Sequence, residues 1–205
     1  MKGRLITFEG INGCGKSTQA CLLLERLRSS SVVVRLCREP GGTSIGERIR
    51  SVLLDTAHSD MLPLTELLLY LAARAQLTGG VILPALSDGE TVILDRFTDS
   101  SIAYQGYARG IGVDLVRSLN STATCGLVPD LTFIFDCDPV TAFSRSSAAP
   151  DRLESEGISF MSLVREGFLL IAREEPERVR VINGARPVGE IADCVFAAVS
   201  GLLSL

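Results

Sequence analysis

A glycine-rich segment near the amino terminus has the spacing of a phosphate-binding loop. Residues 10–17 read Gly-Ile-Asn-Gly-Cys-Gly-Lys-Ser and match G-x-x-x-x-G-K-[ST] in full. In such a loop the glycines turn backbone N–H groups toward a phosphate at a helix amino terminus. Lys16 reaches the β- and γ-phosphates, and the Ser17 hydroxyl ligates Mg²⁺. The segment predicts a nucleoside triphosphate site formed by Gly10, Ile11, Asn12, Gly13, Cys14, Gly15, Lys16, Ser17 and Thr18.

An acidic residue and an arginine follow a short apolar run farther along the chain. Residues 91–94 read Thr-Val-Ile-Leu, and Asp95 and Arg96 come directly after them. In open α/β sheets, ligands bind at the carboxyl ends of the strands. Arg96 suits a second phosphoryl group because a guanidinium binds phosphate through two hydrogen bonds. The pair predicts a second anion site, and the alternative is a surface ion pair at a strand end.

Two further arginines occupy informative positions. Arg38 follows a predicted strand, and Arg74 lies in an apolar helical stretch one turn after Tyr70. An aromatic ring and a guanidinium so placed could stack on a base and donate to its carbonyl edge. The alternative is that Arg74 extends to solvent along the helix surface.

A polar segment, residues 144–157, interrupts the apolar pattern in the second half of the chain. It contains Pro150 and carries Arg145 and Arg152. The segment predicts either a solvated loop or a lid that closes over a ligand. Cations that converge on a phosphate are what phosphoryl transfer requires, because charge builds up on the transferred group.

The elements that must position these groups alternate between strand and helix. This alternation predicts an α/β fold with a mostly parallel sheet, and 205 residues predict a single domain, residues 1–205. The predicted strands cover residues 4–8, 32–36, 91–94, 131–135 and 179–182. The predicted helices cover residues 17–28 and 64–81, with a third apolar stripe over residues 191–203.

Composition excludes several classes of protein. The chain is 46% hydrophobic, which argues against disorder. Its net charge of −4 argues against a nucleic-acid surface. No export signal and no membrane-spanning run are evident, so we expect a cytoplasmic chain whose six cysteines are reduced thiols. With a single histidine, His58, a histidine-based mechanism is not expected.

The motif set resembles that of bacterial thymidylate kinases, which transfer the γ-phosphate of ATP to dTMP. The similarity runs from residue 5 to about residue 183. The segments that carry it are Phe8-Glu9-Gly10 with the P-loop, Arg38-Glu39-Pro40-Gly41-Gly42-Thr43, Ala72-Ala73-Arg74, Asp95-Arg96-Phe97, Ser100-Ser101-Ile102-Ala103-Tyr104-Gln105-Gly106, Asp136-Cys137-Asp138-Pro139 and Asp151-Arg152. The combination of the second and fifth of these is specific to the family.

The resemblance implies a role for each residue of the dTMP site. Tyr70 would stack on thymine, Arg74 would donate to its O4 atom, and Tyr104 would pack against C2′ of the sugar. The remaining residues expected to contact dTMP are Asn12, Arg38, Arg96, Ser101 and Gln105, with Arg38 and Arg96 on the monophosphate.

The resemblance also implies the catalytic groups and the assembly. Asp95 would organise Mg²⁺ together with Ser17, and Arg145 and Arg152 would close over ATP with the lid. Lys16 and Arg96 complete the expected catalytic set. The implied fold is a five-stranded parallel sheet with helices on both faces and a short lid. Members of the family are typically homodimers, and the implied product, dTDP, serves dTTP synthesis.

Two positions depart from the family pattern. Asn12 stands where an acidic residue usually contacts the sugar 3′-OH, so we expect Asn12→Asp to strengthen dTMP binding. Gly13 stands where one branch of the family has a catalytic arginine, which places this chain with the branch that supplies that cation from the lid.

Two other functions fit the phosphate loop. A deoxynucleoside kinase shares the loop and an Asp-Arg strand end, but it needs a carboxylate base and has little use for both Arg38 and Arg96. A regulatory P-loop ATPase that binds partner proteins would hydrolyse the triphosphate slowly without an acceptor. Its GTP-dependent form is disfavoured, because the chain has no [NT]-K-x-D motif.

Overall fold

Five short strands pair in parallel to form one sheet. The computed structural model describes residues 3–145 and 151–205. The strands are β1 (Leu5–Glu9), β2 (Val34–Arg38), β3 (Thr91–Asp95), β4 (Leu131–Asp136) and β5 (Val179–Asn183). Their order across the sheet is β2-β3-β1-β4-β5. The predicted α/β class with a five-stranded parallel sheet is therefore confirmed.

Every strand ends one or two residues later than its hydrophobic run predicts. The last strand residues are polar, yet they are paired: Arg38 lies opposite Asp95, and Asp136 lies opposite Asn183. Except for Glu9, which is fully buried, these end residues are partly or fully exposed, so the apolar pattern stops while the backbone ladder continues. The polar strand ends are thereby held at one edge of the sheet, where ligands bind in this fold class.

Helices pack against the sheet and join its strands. They are α1 (Lys16–Ser29), α2 (Ser44–Leu54), α3 (Pro63–Leu77), α4 (Leu83–Ser87), α5 (Thr98–Ser101), α6 (Val113–Ala123), α7 (Pro139–Arg145), α8 (Ile158–Glu174) and α9 (Val188–Leu203). Successive residues of β1, Leu5 and Ile6, belong to different apolar clusters. Side chains of a strand alternate between its faces, so each face of the sheet has its own core.

Two wide helical turns interrupt this regular pattern. A π-helical turn, Thr78–Ile82, joins α3 to α4, and a π-helical segment, Ile102–Ala108, follows α5. π-Helical turns are rare in proteins overall, and those that do occur are often found at functional sites. The second one carries Tyr104 and Gln105, so it bears directly on the predicted base site.

The stretch Pro63–Ser87 is long and apolar enough to cross a membrane by length and composition, with a mean hydropathy of 1.4 over its best window. No other helix among the described residues meets that criterion. The stretch carries Glu66 and Arg74, both fully buried within the protein. A core helix passes the same test, so the measure does not by itself indicate a membrane span.

The centre of the predicted lid, residues 146–150, lies outside the described residues. On its amino-terminal side α7 ends at Arg145. On its carboxyl-terminal side a 3₁₀ turn, Glu154–Glu156, leads into α8.

Helix α7 approaches the phosphate loop closely at Gly13. A β-carbon added to Gly13 would lie 2.1 Å from the carbonyl oxygen of Ala142. Gly13 also has a φ of +79°, a left-handed backbone that other residues rarely adopt. A side chain at this position is therefore excluded unless α7 moves. This gives a physical reason for glycine at the position where the resemblance implies an arginine in one branch.

We expect Gly13→Ala to destabilise the protein more than Gly15→Ala. Gly15 has a φ of +98° but no atom within 4 Å of an added β-carbon. Both substitutions place alanine in a left-handed backbone, at about 1–2 kcal/mol each. Only Gly13→Ala must also displace α7. Urea unfolding of the two variants measures the difference, and equal losses would show that α7 accommodates the methyl group freely.

Candidate active site

The phosphate loop forms one wall of an open cleft of about 1360 Å³. Residues 12–18 line this cleft, together with Arg145 and Glu154. The predicted contact residues Gly10 and Ile11 are not on its wall. The Gly10 carbonyl oxygen accepts a hydrogen bond from Arg96, and Ile11 is buried in the core.

Lys16 lies in the cleft with its aliphatic stem buried. Its Nζ donates to the Ile11 carbonyl oxygen at 2.8 Å. Burial lowers the pKa of the Lys16 ammonium group, and the nearby Arg96 lowers it further. An anion in the cleft would restore the charge balance of this site, because it would supply the negative charge that the buried cation lacks.

The Ser17 hydroxyl donates to the Asp95 carboxylate at 2.5 Å. A hydroxyl and a carboxylate oxygen in contact at the helix start suit Mg²⁺, which takes few protein ligands and completes its shell with phosphate oxygens and water. The described residues contain no cluster of three or more His, Cys, Asp or Glu that could hold a metal ion without a substrate. The pair therefore fits a metal that arrives with a nucleotide.

A second cavity, of about 500 Å³, adjoins the first. Six of the residues predicted to contact dTMP line it: Asn12, Tyr70, Arg96, Ser101, Tyr104 and Gln105. Asn12 lines both cavities. Aromatic rings, an amide and a guanidinium around one cavity suit a flat, polar ring that carries an anionic group.

Arg96 lies beside Asn12, at the junction where the two cavities meet. Its position there is fixed by its backbone and its side chain. Its φ is +69°, and its N–H donates to the Phe8 carbonyl oxygen at 3.0 Å. The guanidinium donates to Gly10 at 3.0 Å and lies 5.4 Å from the Tyr104 ring centroid. Burial alone would lower the pKa of Arg96, but Tyr104, Asp95 and Glu9 raise it. A permanent, preorganised cation stands at this point.

Glu9 supports the turn that holds Arg96. Its carboxylate accepts from the Phe97 N–H at 2.7 Å and from the Ser100 hydroxyl at 2.6 Å. Burial raises the pKa of Glu9 to about 7, and the neighbouring Asp99 adds to the effect. The residue touches neither cavity, so its contacts position groups that do.

The structure does not place Arg38 on the wall of the second cavity, which we call the acceptor cavity. Its side chain is 55% exposed and pairs with Glu47 at 3.1 Å, because β2 ends with Arg38 directed at the start of α2. Arg50, which sequence reasoning missed, lines the cavity instead and donates to the Pro40 carbonyl oxygen at 2.9 Å. Only its place on a helix after the Gly-Gly-Thr segment could have indicated it, and that signal is weak.

Arg74 is also absent from the cavity wall. Its guanidinium is 1% exposed and donates to Glu39 at 2.7 Å, Ser101 at 2.8 Å, Asn120 at 2.6 Å and Phe97 at 2.8 Å. A buried guanidinium must satisfy all its donors, and here the protein satisfies them. In this structure Arg74 supports Ser101, which lines the cavity, and the direct contact of Arg74 with thymine O4 stays a prediction.

The two predicted lid arginines lie in different places. Arg145 lines the nucleotide cleft and donates to the Gly184 carbonyl oxygen at 2.9 Å. Arg152 is buried away from that cleft, where it pairs with Glu66 at 2.7 Å and donates to Leu53 at 2.8 Å. Of the two, Arg145 alone lines this cleft, and the closure of both arginines over ATP stays a prediction.

Asn12 bridges the junction to the segment after the predicted lid. Its carbonyl oxygen accepts from Arg96, and its amide donates to the Glu154 carboxylate at 2.7 Å. The second Glu154 oxygen accepts from the Asp151 N–H at 3.0 Å. A neutral amide is required for this bridge, because an acidic side chain at residue 12 would face the Glu154 carboxylate.

Comparison with known proteins agrees with this geometry. The thymidylate kinase family model matches residues 8–195. A thymidylate kinase of Caldanaerobacter subterraneus is 47% identical over 204 residues, covering 99% of this chain and 98% of the relative. One of Deinococcus radiodurans is 46% identical over 201 residues, covering 97% of each. The crystal structure of the Ehrlichia chaffeensis thymidylate kinase superposes with a TM-score of 0.78 at 35% identity, covering 98% of this chain and 99% of that one.

The bridge gives Asn12→Asp a structural cost that the sequence does not reveal, and the expected strengthening of dTMP binding stays a prediction. We expect Asn12→Asp to lose the Glu154 contact and to place two carboxylates together, at roughly 1–2 kcal/mol. The double variant Asn12→Asp/Glu154→Gln restores a donor opposite the new acid and should recover most of that loss. Thermal unfolding of both variants, with Glu154→Gln alone as control, measures the coupling. Equal midpoints for the single and double aspartate variants would contradict the bridge.

Proposed function

The chain belongs to the thymidylate kinase family and transfers the γ-phosphate of ATP to dTMP, and on that premise we propose how its residues divide this reaction. The observation that carries the proposal is that Asn12 lines both cavities. A triphosphate on the phosphate loop and a monophosphate beside Arg96 would meet there. The acceptor is already an anion, so no general base is required and catalysis rests on positioning and charge.

On the donor side, Lys16 holds the β- and γ-phosphates, and the N–H groups of the loop surround them. Mg²⁺ would be held by Ser17 and Asp95, and when bound it neutralises charge on the phosphate oxygens. Arg145, on the wall of the same cleft, is the cation best placed to approach ATP from the lid. Arg152, buried against Glu66, instead holds the segment after the lid on the acceptor side.

On the acceptor side, Arg96 and Arg50 hold the monophosphate of dTMP. Tyr104 packs against the deoxyribose, and Tyr70 stacks on thymine. Ser101 and Gln105 contact the edge of the base. Arg38 keeps Glu47 in place at the start of α2, and Arg74 orients Ser101.

We also propose that the enzyme is a cytoplasmic homodimer that uses no nucleic acid or membrane partner. Exposed apolar side chains on α2 and α3, at Val52, Leu64 and Leu68, support a protein contact on that face. The net charge of −4 is unfavourable for binding a polyanion.

Lys16→Ala tests the donor site. Loss of a preorganised cation at the transferred group is expected to lower kcat by about 100-fold or more. Arg28→Ala removes an exposed cation of the same helix and should leave kcat unchanged. ADP release is measured with dTMP, with thymidine and without an acceptor.

Release that requires dTMP and disappears in Lys16→Ala supports the proposal. Faster release with thymidine would indicate a nucleoside kinase, and slow release independent of any acceptor would indicate a regulatory ATPase. Retention of more than a tenth of the turnover in Lys16→Ala would contradict the role given to that residue.

Arg50→Ala and Arg38→Ala form a matched pair for the acceptor phosphate. We expect Arg50→Ala to raise the KM for dTMP by about 10-fold or more, since a hydrogen bond to a charged group contributes about 1.5–3 kcal/mol. Arg38→Ala should change it by less than about 3-fold, because its partner is an exposed carboxylate. The KM for ATP is the internal control in both. A larger increase in the KM for dTMP in Arg38→Ala than in Arg50→Ala would assign the phosphate contact to Arg38 instead.

A further inference from the structure

Gln105 directs one end of its side-chain amide, either the NH₂ group or the carbonyl oxygen, toward the acceptor cavity. The side chain is 2% exposed and lies on the cavity wall. A glutamine amide donates through its NH₂ group and accepts through its carbonyl oxygen. The end that faces the cavity therefore decides whether a bound base must offer an acceptor or a donor at the matching position.

Glu66 occupies the other end of this amide. It lies on α3 with no exposed surface, and its Oε1 accepts from Gln105 Nε2 at 2.7 Å. Its Oε2 accepts from Arg109 at 3.1 Å and contacts the Arg152 guanidinium at 2.7 Å. Two guanidinium groups therefore face Oε2, and Arg109 Nε also donates to Oε1 at 3.4 Å. Both carboxylate oxygens act as hydrogen-bond acceptors here, so Gln105 turns its NH₂ group toward Oε1.

The Gln105 carbonyl oxygen is consequently left for a ligand. Among the described residues, no side chain or backbone N–H donates to it. Nor is it one of the buried polar atoms enclosed without a partner. A pyrimidine that carries N3–H can donate to this oxygen, whereas cytosine has a lone pair at N3 and would oppose one acceptor with another.

We infer that Glu66 is a positioning residue for base selectivity: by holding Gln105 with its carbonyl oxygen toward the cavity, it selects monophosphates of pyrimidines with N3–H and rejects cytosine. The inference rests on the proposed placement of thymine beside Gln105. Glu66 itself touches no ligand, and it does not line the cavity. Its effect passes through the orientation of a single amide.

Glu66→Gln provides a directional test. The new carbonyl oxygen would take the Oε2 position, where both arginines contact residue 66 at 3.1 Å or less, and the new NH₂ group would face Gln105 in place of the long 3.4 Å contact from Arg109 Nε to Oε1. Gln105 would then reverse, accept from residue 66 and present its own NH₂ group to the base. The kcat/KM for dTMP should fall by about 10–100-fold, the range expected for an unpaired buried hydrogen-bonding group. The kcat/KM for dCMP should rise, so that the ratio of the two collapses or inverts.

Two variants keep the test interpretable. Glu156→Gln removes the other carboxylate partner of Arg109, 2.7 Å away, without touching Gln105, and should leave the dTMP-to-dCMP ratio unchanged. Glu66→Asp keeps an acceptor-only group against the arginines and should retain the preference for dTMP even if its rate is lower. It also preserves the buried carboxyl group, so it serves if Glu66→Gln fails to fold.

Gln105→Leu separates failure of this inference from failure of the proposed function. If Gln105→Leu leaves the ratio unchanged, thymine does not lie beside Gln105, and both the proposed base site and the inference are wrong. If Gln105→Leu abolishes selectivity but Glu66→Gln retains it, the base site stands and the role of Glu66 is wrong. A reduced melting temperature with an unchanged ratio in Glu66→Gln would likewise assign Glu66 a purely structural role. Inverted selectivity in Glu66→Asp would also overturn the inference.

Discussion

The parallel register between β1 and β3 is the constraint on which the rest of the site depends. Phe8 lies opposite Asp95, so the phosphate loop that leaves β1 and the Asp-Arg pair that ends β3 start side by side. Adjacent strands are about 4.8 Å apart. The backbone alone therefore sets the distance between the phosphate loop after β1 and the Asp95-Arg96 turn after β3. The Arg96 N–H closes this edge by donating to the Phe8 carbonyl oxygen. Ser17 can contact Asp95, and Arg96 can contact Asn12, only because of this register.

Buried carboxylates form a supporting layer beside the two cavities, and one of them, Glu39, also lines the acceptor cavity. Glu9 holds the turn after Arg96, Glu39 holds Arg74, and Glu66 holds Gln105. Buried ion pairs contribute little net stability, because desolvation of the charges offsets their attraction. Their contacts here are directional: each fixes the position of a group that lines a cavity or supports one. We therefore interpret the layer as a source of preorganisation, which in phosphoryl transfer is a large part of catalysis.

The sequence predicted the positions of residues that belong to contiguous motifs. It did not predict the contacts of side chains whose partners lie on distant elements of the chain. The phosphate loop and Asp95-Arg96 are contiguous motifs, and the structure places both at the expected edge of the sheet. Arg38, Arg74 and Arg152 were assigned to ligands, but each pairs with a carboxylate that no local pattern identifies. Arg50 escaped notice for the same reason, since its position depends on how α2 packs. Apolar periodicity also cannot distinguish an α-helix from the π-helical segment that turns Gln105 toward the cavity.

The short stretch after residue 150 connects the two sites physically. Arg152 contacts Glu66 on the acceptor side, and Glu154 contacts Asn12 at the phosphate loop. The two contacts are two residues apart in the chain, and the Asp151 and Glu154 side chains accept from each other's backbone N–H groups. Asp151 and Leu153 of this stretch line the acceptor cavity, and Glu154 lines the cleft of the phosphate loop. One short segment therefore borders both sites, and its internal hydrogen bonds tie the position of one contact to that of the other.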